Sequence, residues 1–255
     1  KVMKYGNQAI QKSDEIERVI REGVPLFSYY GYKTDGLFRN EEEIKNSALP
    51  IGANVQPGDV KYVDRNNDGI IDDNDRYILG NAFPRYTYGF NYSVNWKGFD
   101  FAMLWQGVGK RDMALRGEMI EPFHGDYYYV IFEHQLDYWR PDNIDAEYPR
   151  LINNASPSYA NNYRMGSGRN IYNGAYLRLK NLQIGYTLSP DFTKKLGLNK
   201  FRLYATGQNL LTFSKNNFID PESSEFGNNM NANGANSGRN YPTLKYYGVG
   251  VEIEF

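Results

Sequence analysis

From Tyr86 to Gln106, apolar and polar residues alternate almost without error, and this constrains the fold more than any other feature of the chain. Tyr86, Tyr88, Phe90, Tyr92, Val94 and Trp96 alternate with Thr87, Gly89, Asn91, Ser93 and Asn95. After Lys97-Gly98 the pattern resumes, with Phe99, Phe101, Met103 and Trp105 set against Asp100, Ala102, Leu104 and Gln106. Successive side chains of a strand point to opposite faces, so each half is a ribbon with one uncharged apolar face. A two-residue connection favours a tight antiparallel reversal. About 11 residues at ~3.3 Å each, tilted by ~40°, rise roughly 28 Å, close to the ~25 Å apolar band of a membrane β-barrel. Tyr86, Tyr88, Trp96 and Phe99 cluster at the strand ends, the position of interfacial aromatic girdles. A soluble β-sandwich carries the same alternation, so the hairpin alone leaves both architectures open.

The period recurs downstream. Residues 176–188 form a further strand whose Leu177 and Leu179 are out of phase with Leu182, Ile184, Tyr186 and Leu188, which predicts a bulge near Lys180-Asn181. Residues 201–213 place Phe201, Leu203, Ala205, Leu211 and Phe213 outward, and Arg202, Tyr204, Thr206 and Gln208 inward. Residues 246–255 set Tyr247, Val249, Val251, Ile253 and Phe255 against Gly248, Gly250, Glu252 and Glu254. A weaker, Tyr-rich candidate lies at 28–38. The connections alternate in length. Lys97-Gly98 and 189–200 are short, the latter with a helical turn from Asp191, whereas 40–85, 108–175 and 214–245 are long. With Phe255 at the periplasmic side, all three long segments fall outside and both short turns inside, as in outer-membrane barrels. Five or six strands do not close a barrel in lipid. The expected fold is therefore all-β: the C-terminal portion, about five or six antiparallel strands, of a large transmembrane β-barrel with long extracellular loops.

Composition agrees. With 23 Tyr and 14 Phe the chain is 16% aromatic, yet it is hydrophilic on balance, as expected where apolar residues occupy only alternate positions. No run approaches the roughly 20 apolar residues of a membrane helix. A net charge of −1 argues against a nucleic-acid partner. The absence of cysteine suits an oxidising envelope, although chance produces it as readily. No signal peptide is visible, and from Lys1 the sequence reads as the interior of a longer protein.

The sharpest local motif runs from Asp64 to Asp75. Asp64, Asn66, Asp68 and Asp72 supply oxygens at positions one, three, five and nine of a twelve-residue calcium loop. Ile70 supplies a carbonyl at seven and Asp75 a carboxylate at twelve. Gly69 permits the sharp turn, and Ile71 is placed to anchor the loop to a core. Asp instead of Glu at position twelve weakens the case for bidentate coordination, and a solvated Asp/Asn turn is the simpler alternative. The flanks, 58–63 and 76–79, read as extended, which points to a static calcium staple in an external loop rather than a helix–loop–helix sensor.

Catalytic constellations are poor. His124 and His134 lack metal-ligand spacing and read as loop histidines. Glu118 and Glu121 read as solvated loop charges. Gly107-Val-Gly109-Lys110 lacks the rest of a phosphate loop, and 227–240 reads as an Asn/Gly-rich surface loop. Residues 126–139 suit a helix with Tyr128, Phe132, Gln135 and Trp139 partly on one side, available to pack the loop or to bind a sugar or partner. No enzymatic activity is expected.

The chain resembles the C-terminal region of SusC/RagA-type TonB-dependent outer-membrane transporters. The resemblance rests on Phe27-Ser-Tyr-Tyr-Gly-Tyr-Lys-Thr-Asp-Gly-Leu-Phe38 and Pro57-Gly-Asp-Val-Lys-Tyr62 through Asp75-Arg76. It continues through Tyr88-Gly-Phe90, Lys97-Gly-Phe-Asp100, Tyr138-Trp-Arg-Pro-Asp-Asn143, the segment Tyr176 to Leu188, and Gly207-Gln-Asn-Leu210. It implies a 22-stranded barrel around an N-terminal plug in the outer membrane of a Gram-negative bacterium. It also implies a SusD-like surface lipoprotein and energy from TonB, engaged through a plug and TonB box not found in these residues. The cargo it implies is an oligosaccharide or, in some members, a peptide. Without the resemblance, the alternative is a soluble or cell-surface β-sandwich stabilised by calcium that binds carbohydrate.

Overall fold

The computed structural model describes residues 2–5, 8–11, 17–123, 131–222 and 241–255. It divides into two compact units, one of Lys1–Phe83, Arg111–Asn173 and Ser224–Tyr241, the other of Pro84–Lys110, Gly174–Ser223 and Pro242–Phe255.

The second unit contains the alternating segments. Strands Tyr86–Trp96, Phe99–Gly109, Tyr176–Thr187, Lys200–Gln208 and Tyr246–Glu254 lie in that order as one antiparallel sheet, and the short strand Thr212–Ser214 pairs with Tyr176–Thr187. The predicted hairpin is in register throughout, from Tyr86↔Gly109 to Trp96↔Phe99. Its turn needs left-handed backbone at both central residues, and Lys97 and Gly98 adopt φ +48° and +86°. The expected bulge is present. Leu104 pairs with Asn181 and Trp105 with Leu179, so Lys180 is the extra residue. The strand expected at 201–213 is instead interrupted. Lys200–Gln208 ends where Asn209 takes φ +53°, and pairing resumes at Thr212. Between them, Asn209 N–H donates to the Lys180 carbonyl and Leu210 N–H to that of Leu179, so the interruption follows the bulge opposite. The helical turn expected in the 189–200 connection is Pro190–Lys195, with Pro at its start, where a missing N–H costs nothing.

One face of this sheet is exposed and apolar: Phe90, Val94, Trp96, Leu203, Tyr247 and Val249 leave 42–90% of their surface uncovered. Among the described residues the sheet is open, with strands Tyr86–Trp96 and Tyr246–Glu254 as edges that each have one unpaired ladder side.

The first unit was the less legible one. Its main sheet is antiparallel, in the order Val2–Tyr5, Gln8–Gln11, Glu17–Arg21, Ser28–Tyr32, Arg76–Gly80. The weak candidate at 28–38 is two strands in different sheets: Ser28–Tyr32 in this one, and Thr34–Leu37 paired with Val60–Tyr62. Tyr32, Val60, Tyr62 and Ile71 form one core cluster, and Phe38, Ile44 and Val55 another. Ile44 comes from the short helix Glu41–Lys45. Asn40 caps that helix by accepting from Glu43 N–H at 2.8 Å, and three glutamates stand at its positive end.

Candidate functional site

Strands Val60–Tyr62 and Arg76–Gly80 flank the segment Asp64–Asp75, so the expected extended flanks are present. Asp64 accepts from the N–H groups of Asn67 (2.7 Å) and Gly69 (2.8 Å). Asn66 accepts from Asp68 N–H at 3.1 Å and donates its amide to the Asp68 carboxylate at 2.7 Å. Asp68 accepts from Ile70 N–H and Asp72 from Asn74 N–H. Asp75, fully buried, accepts from Arg65 and Asp72 N–H, both at 2.8 Å. Gly69 takes φ +86°. Ile70 bridges to Leu49, while Ile71, 2% exposed, anchors the loop in the cluster with Tyr32 and Tyr62.

Thus the six residues expected to bind a cation share one compact turn, although among the described residues no three acidic or histidine side chains converge on one point. The donor set is oxygen alone, which selects a hard cation. Each carboxylate oxygen retains a lone pair beyond the one its backbone or asparagine amide partner uses. The residues therefore fit calcium in chemical kind.

Glu121 is not a solvated loop charge. It is fully buried. Arg116 Nε and Gly117 N–H donate to Oε1, Tyr159 O–H donates to Oε2 at 2.7 Å, and Arg164 lies 3.6 Å from Oε2. Burial alone would push this carboxyl up. The Arg116 charge and the donors from Tyr159, Arg116 and Gly117 outweigh it and hold the group below the usual carboxylate range. The partners arrive from residues distant in sequence, so nothing local to Glu121 signals its burial. Asp59 is a second buried carboxylate, held by Arg150 at 2.7 Å and Asn162 at 2.9 Å.

His134, read as a loop histidine, lies in a short 3-10 turn with Nε2 2.7 Å from the Met119 carbonyl oxygen and its ring stacked on Phe132. His124 and Tyr128 lie outside the described residues, as does the loop 227–240. From residue 131 on, the expected helix at 126–139 is absent. Only the short 3-10 turn Glu133–Gln135 forms. Trp139 N–H donates to the Tyr148 carbonyl, and Tyr148 N–H to that of Asp137. Those pairings claim the backbone a helix would have used.

Open clefts among the described residues of the first unit include two beside charged or loop residues. One, about 620 Å³, lies beside the Asp64–Asp75 loop and is lined by Tyr32, Ile51, Asp72, Pro157, Asn161 and Met165 among others. The other, about 680 Å³, carries Arg39, Lys61, Arg169, Asp35, Glu43 and Asp145. There the Glu43 and Asp35 carboxylates beside Lys61 raise its ammonium above the usual lysine range.

In the second unit, the polar face of the sheet is linked by charge. Arg202 donates to both oxygens of Asp100 at 2.9 and 2.6 Å, lies 3.4 Å from Glu252, and stacks 4.8 Å from the centre of the Tyr204 ring. Lys200 donates to Glu252 at 2.6 Å. Arg202, Tyr204 and Asp100 therefore stand opposite the exposed apolar face, the sidedness read for residues 201–208.

No family model matches the chain. Curated relatives do. TonB-dependent receptor P26 of Formosa agariphila is 31% identical over 241 residues, covering 93% of this chain and 23% of that receptor. Receptor P3 of the same organism is 29% identical over 251 residues, with the same coverage of each. TonB-dependent receptor SusC of Bacteroides thetaiotaomicron is 26% identical over 171 residues, 66% of this chain and 16% of SusC.

The chain is part of a TonB-dependent receptor of the SusC/RagA type.

It spans about a quarter of the length of the first two relatives. The solved RagAB peptide transporter shares its fold, with a TM-score of 0.67 at 21% identity, over 98% of this chain and 24% of that one. The 'open-open' RagAB peptide importer gives 0.65 at 21% identity. TonB-dependent receptors are outer-membrane β-barrels, and the antiparallel sheets of this chain align with a quarter of one such barrel. They are transporters rather than enzymes.

Proposed function

We propose that this chain supplies wall strands and outer loops to a TonB-powered importer in a bacterial outer membrane. The observation that carries this reading is the sheet of the second unit. Its outer face is apolar and carries exposed residues on every long strand, its opposite face is polar and ion-paired, and its two edges await further strands. Lipid suits the first face, an aqueous lumen the second, and barrel closure the edges, because an unpaired ladder is costly in hydrocarbon. A β-sandwich would cover that apolar face with a second sheet. In the importer reading the segments 40–85, 108–175 and 214–245 face the outside, where they meet a SusD-like lipoprotein. RagAB is a peptide importer. An oligosaccharide or a peptide is the cargo proposed for this receptor, and calcium held by Asp64, Asn66, Asp68, the Ile70 carbonyl, Asp72 and Asp75 would brace the first of those loops.

Deleting the full receptor gene, and separately that of its TonB, tests the reading. Uptake of one class of glycan or peptide should fall in both strains, with the receptor recovered as a heat-modifiable outer-membrane protein. A receptor found only in the soluble fraction, or unchanged uptake across both panels, would sink it.

A further inference from the structure

The outward face does not by itself specify how the strands line up. Sliding Lys200–Gln208 along Tyr176–Thr187 by two residues keeps every side chain on its own face, because the period is two. It also keeps apolar beside apolar: Ile184, now paired with Ala205, would meet Leu203 or Gly207. Loops supply little correction. Phe99–Gly109 and Tyr176–Thr187 are joined only through residues 110–175, and the next pair through the connection containing Pro190–Lys195.

The polar face does discriminate. Asp100 is the register partner of Gly185, and Gly185 of Tyr204. Arg202 reaches Asp100 directly over Gly185: a Cβ there would lie 2.4 Å from Asp100 Oδ1 and 2.7 Å from Arg202 Nη2. On the next strand the Tyr204 ring covers Gly250, its partner, where an added Cβ would lie 2.3 Å from the ring. A two-residue slip moves Arg202 by about 7 Å, far beyond hydrogen-bond reach of Asp100.

We infer that Asp100, Gly185 and Arg202 are the register lock of this sheet, a charged clasp three strands wide whose middle strand must carry glycine, with Glu252 and the Tyr204–Gly250 contact extending it to a fourth strand. Lipid-facing residues then need only be apolar, and alignment is set from the polar side.

These 255 residues carry no cysteine, so introduced thiols are the only ones within this stretch of the receptor. In the full-length receptor, cysteines at Ile184 and Ala205 report native register to a short thiol cross-linker, and cysteines at Ile184 with Leu203 or Gly207 report a slip. Arg202→Leu and Gly185→Val should each reduce the heat-modifiable fraction about fivefold and shift cross-linking in the remaining folded protein toward the slipped pairs. The exchange Asp100→Arg with Arg202→Asp should recover most of both losses, whereas either half alone should not. Native cross-linking in the folded remainder of Arg202→Leu would overturn the inference. So would an exchange variant no better than its single parents.

Discussion

Tyr159 donates its hydroxyl to Glu121 at 2.7 Å, and the carboxylate so held has no surface in contact with solvent. The pair joins segments 38 residues apart, beside the π-helical turn Ala160–Arg164. Glu121→Gln keeps the shape and removes the charge that Arg116 and Arg164 face. Arg116 is buried whereas Arg164 is half-exposed, so the cost falls mainly on the Arg116 pair, where breaking a buried ion pair reaches about 3–5 kcal/mol. The variant receptor should therefore be cleaved faster by protease between residues 115 and 165 while its barrel stays heat-modifiable. Equal protection of that segment in the two proteins would remove the assigned role.

The same group sets a pH dependence. Its carboxyl is held below the ordinary value in the fold. Its contribution is then complete above the unfolded value, near pH 4, and is lost as the pH falls through the lower folded one. Protease resistance of the segment should hold at pH 5 to 8 (an ordinary working range, ~ three units wide) and fall only below about pH 4. Acid loss of that kind should be absent in Glu121→Gln, which hydrogen exchange across a pH series would show.

Phe90 is mid-strand and 54% exposed on the apolar face, and its neighbour Asn91 lies on the other. Arg at a mid-bilayer, lipid-facing position costs about 2–4 kcal/mol. Phe90→Arg should lower the yield of folded receptor in membranes, whereas Asn91→Arg should be tolerated. Equal yields from the two variants would reverse or abolish the assigned sidedness.

The second unit was legible because its strands carry charge on one face only, and a period of two survives in the sequence. Even the bulge at Lys180 shows there, as a change of phase between Leu179 and Leu182. The interruption at Asn209 was hidden, because Leu211 and Phe213 continue the alternation of Phe201, Leu203 and Ala205 across a left-handed residue. In the first unit the pattern fails for a physical reason. Ser28–Tyr32 is buried at every position, so neither face has to be polar. The turn of the Asp64 loop was legible because its Asp, Asn and Gly spacing is local. Glu121 and Asp59 were not, since burial of a charge depends on partners such as Tyr159, Arg150 and Asn162, which only the fold brings near.

Gly58 has φ +88°, and a Cβ on it would lie 2.5 Å from the Trp139 ring. Its N–H donates to the Phe38 carbonyl and its own carbonyl accepts from Arg150 N–H, so the backbone has no room to move. Gly58→Ala meets both the left-handed penalty, about 1 kcal/mol, and a ring that must shift. The receptor should lose protection around Trp139 with little change in barrel assembly. Trp139→Ala in the same chain should restore part of the loss, which a double-mutant cycle on protease resistance would measure.

In the Asp64–Asp75 loop, capping and cation binding make separable demands. Asp68 and Asp72 each accept from a backbone N–H, a task asparagine performs equally well, so exchanging both for Asn preserves the turn while removing two negative charges. Calcium affinity depends on the number of charged ligands. Calorimetry on the full receptor in detergent should therefore give calcium heat for the parent and at least about tenfold weaker binding for Asp68→Asn with Asp72→Asn. Calcium should also protect the loop from protease in the parent alone. If the parent gives neither heat nor protection, the loop is a self-capped Asp/Asn turn and the calcium assignment is discarded.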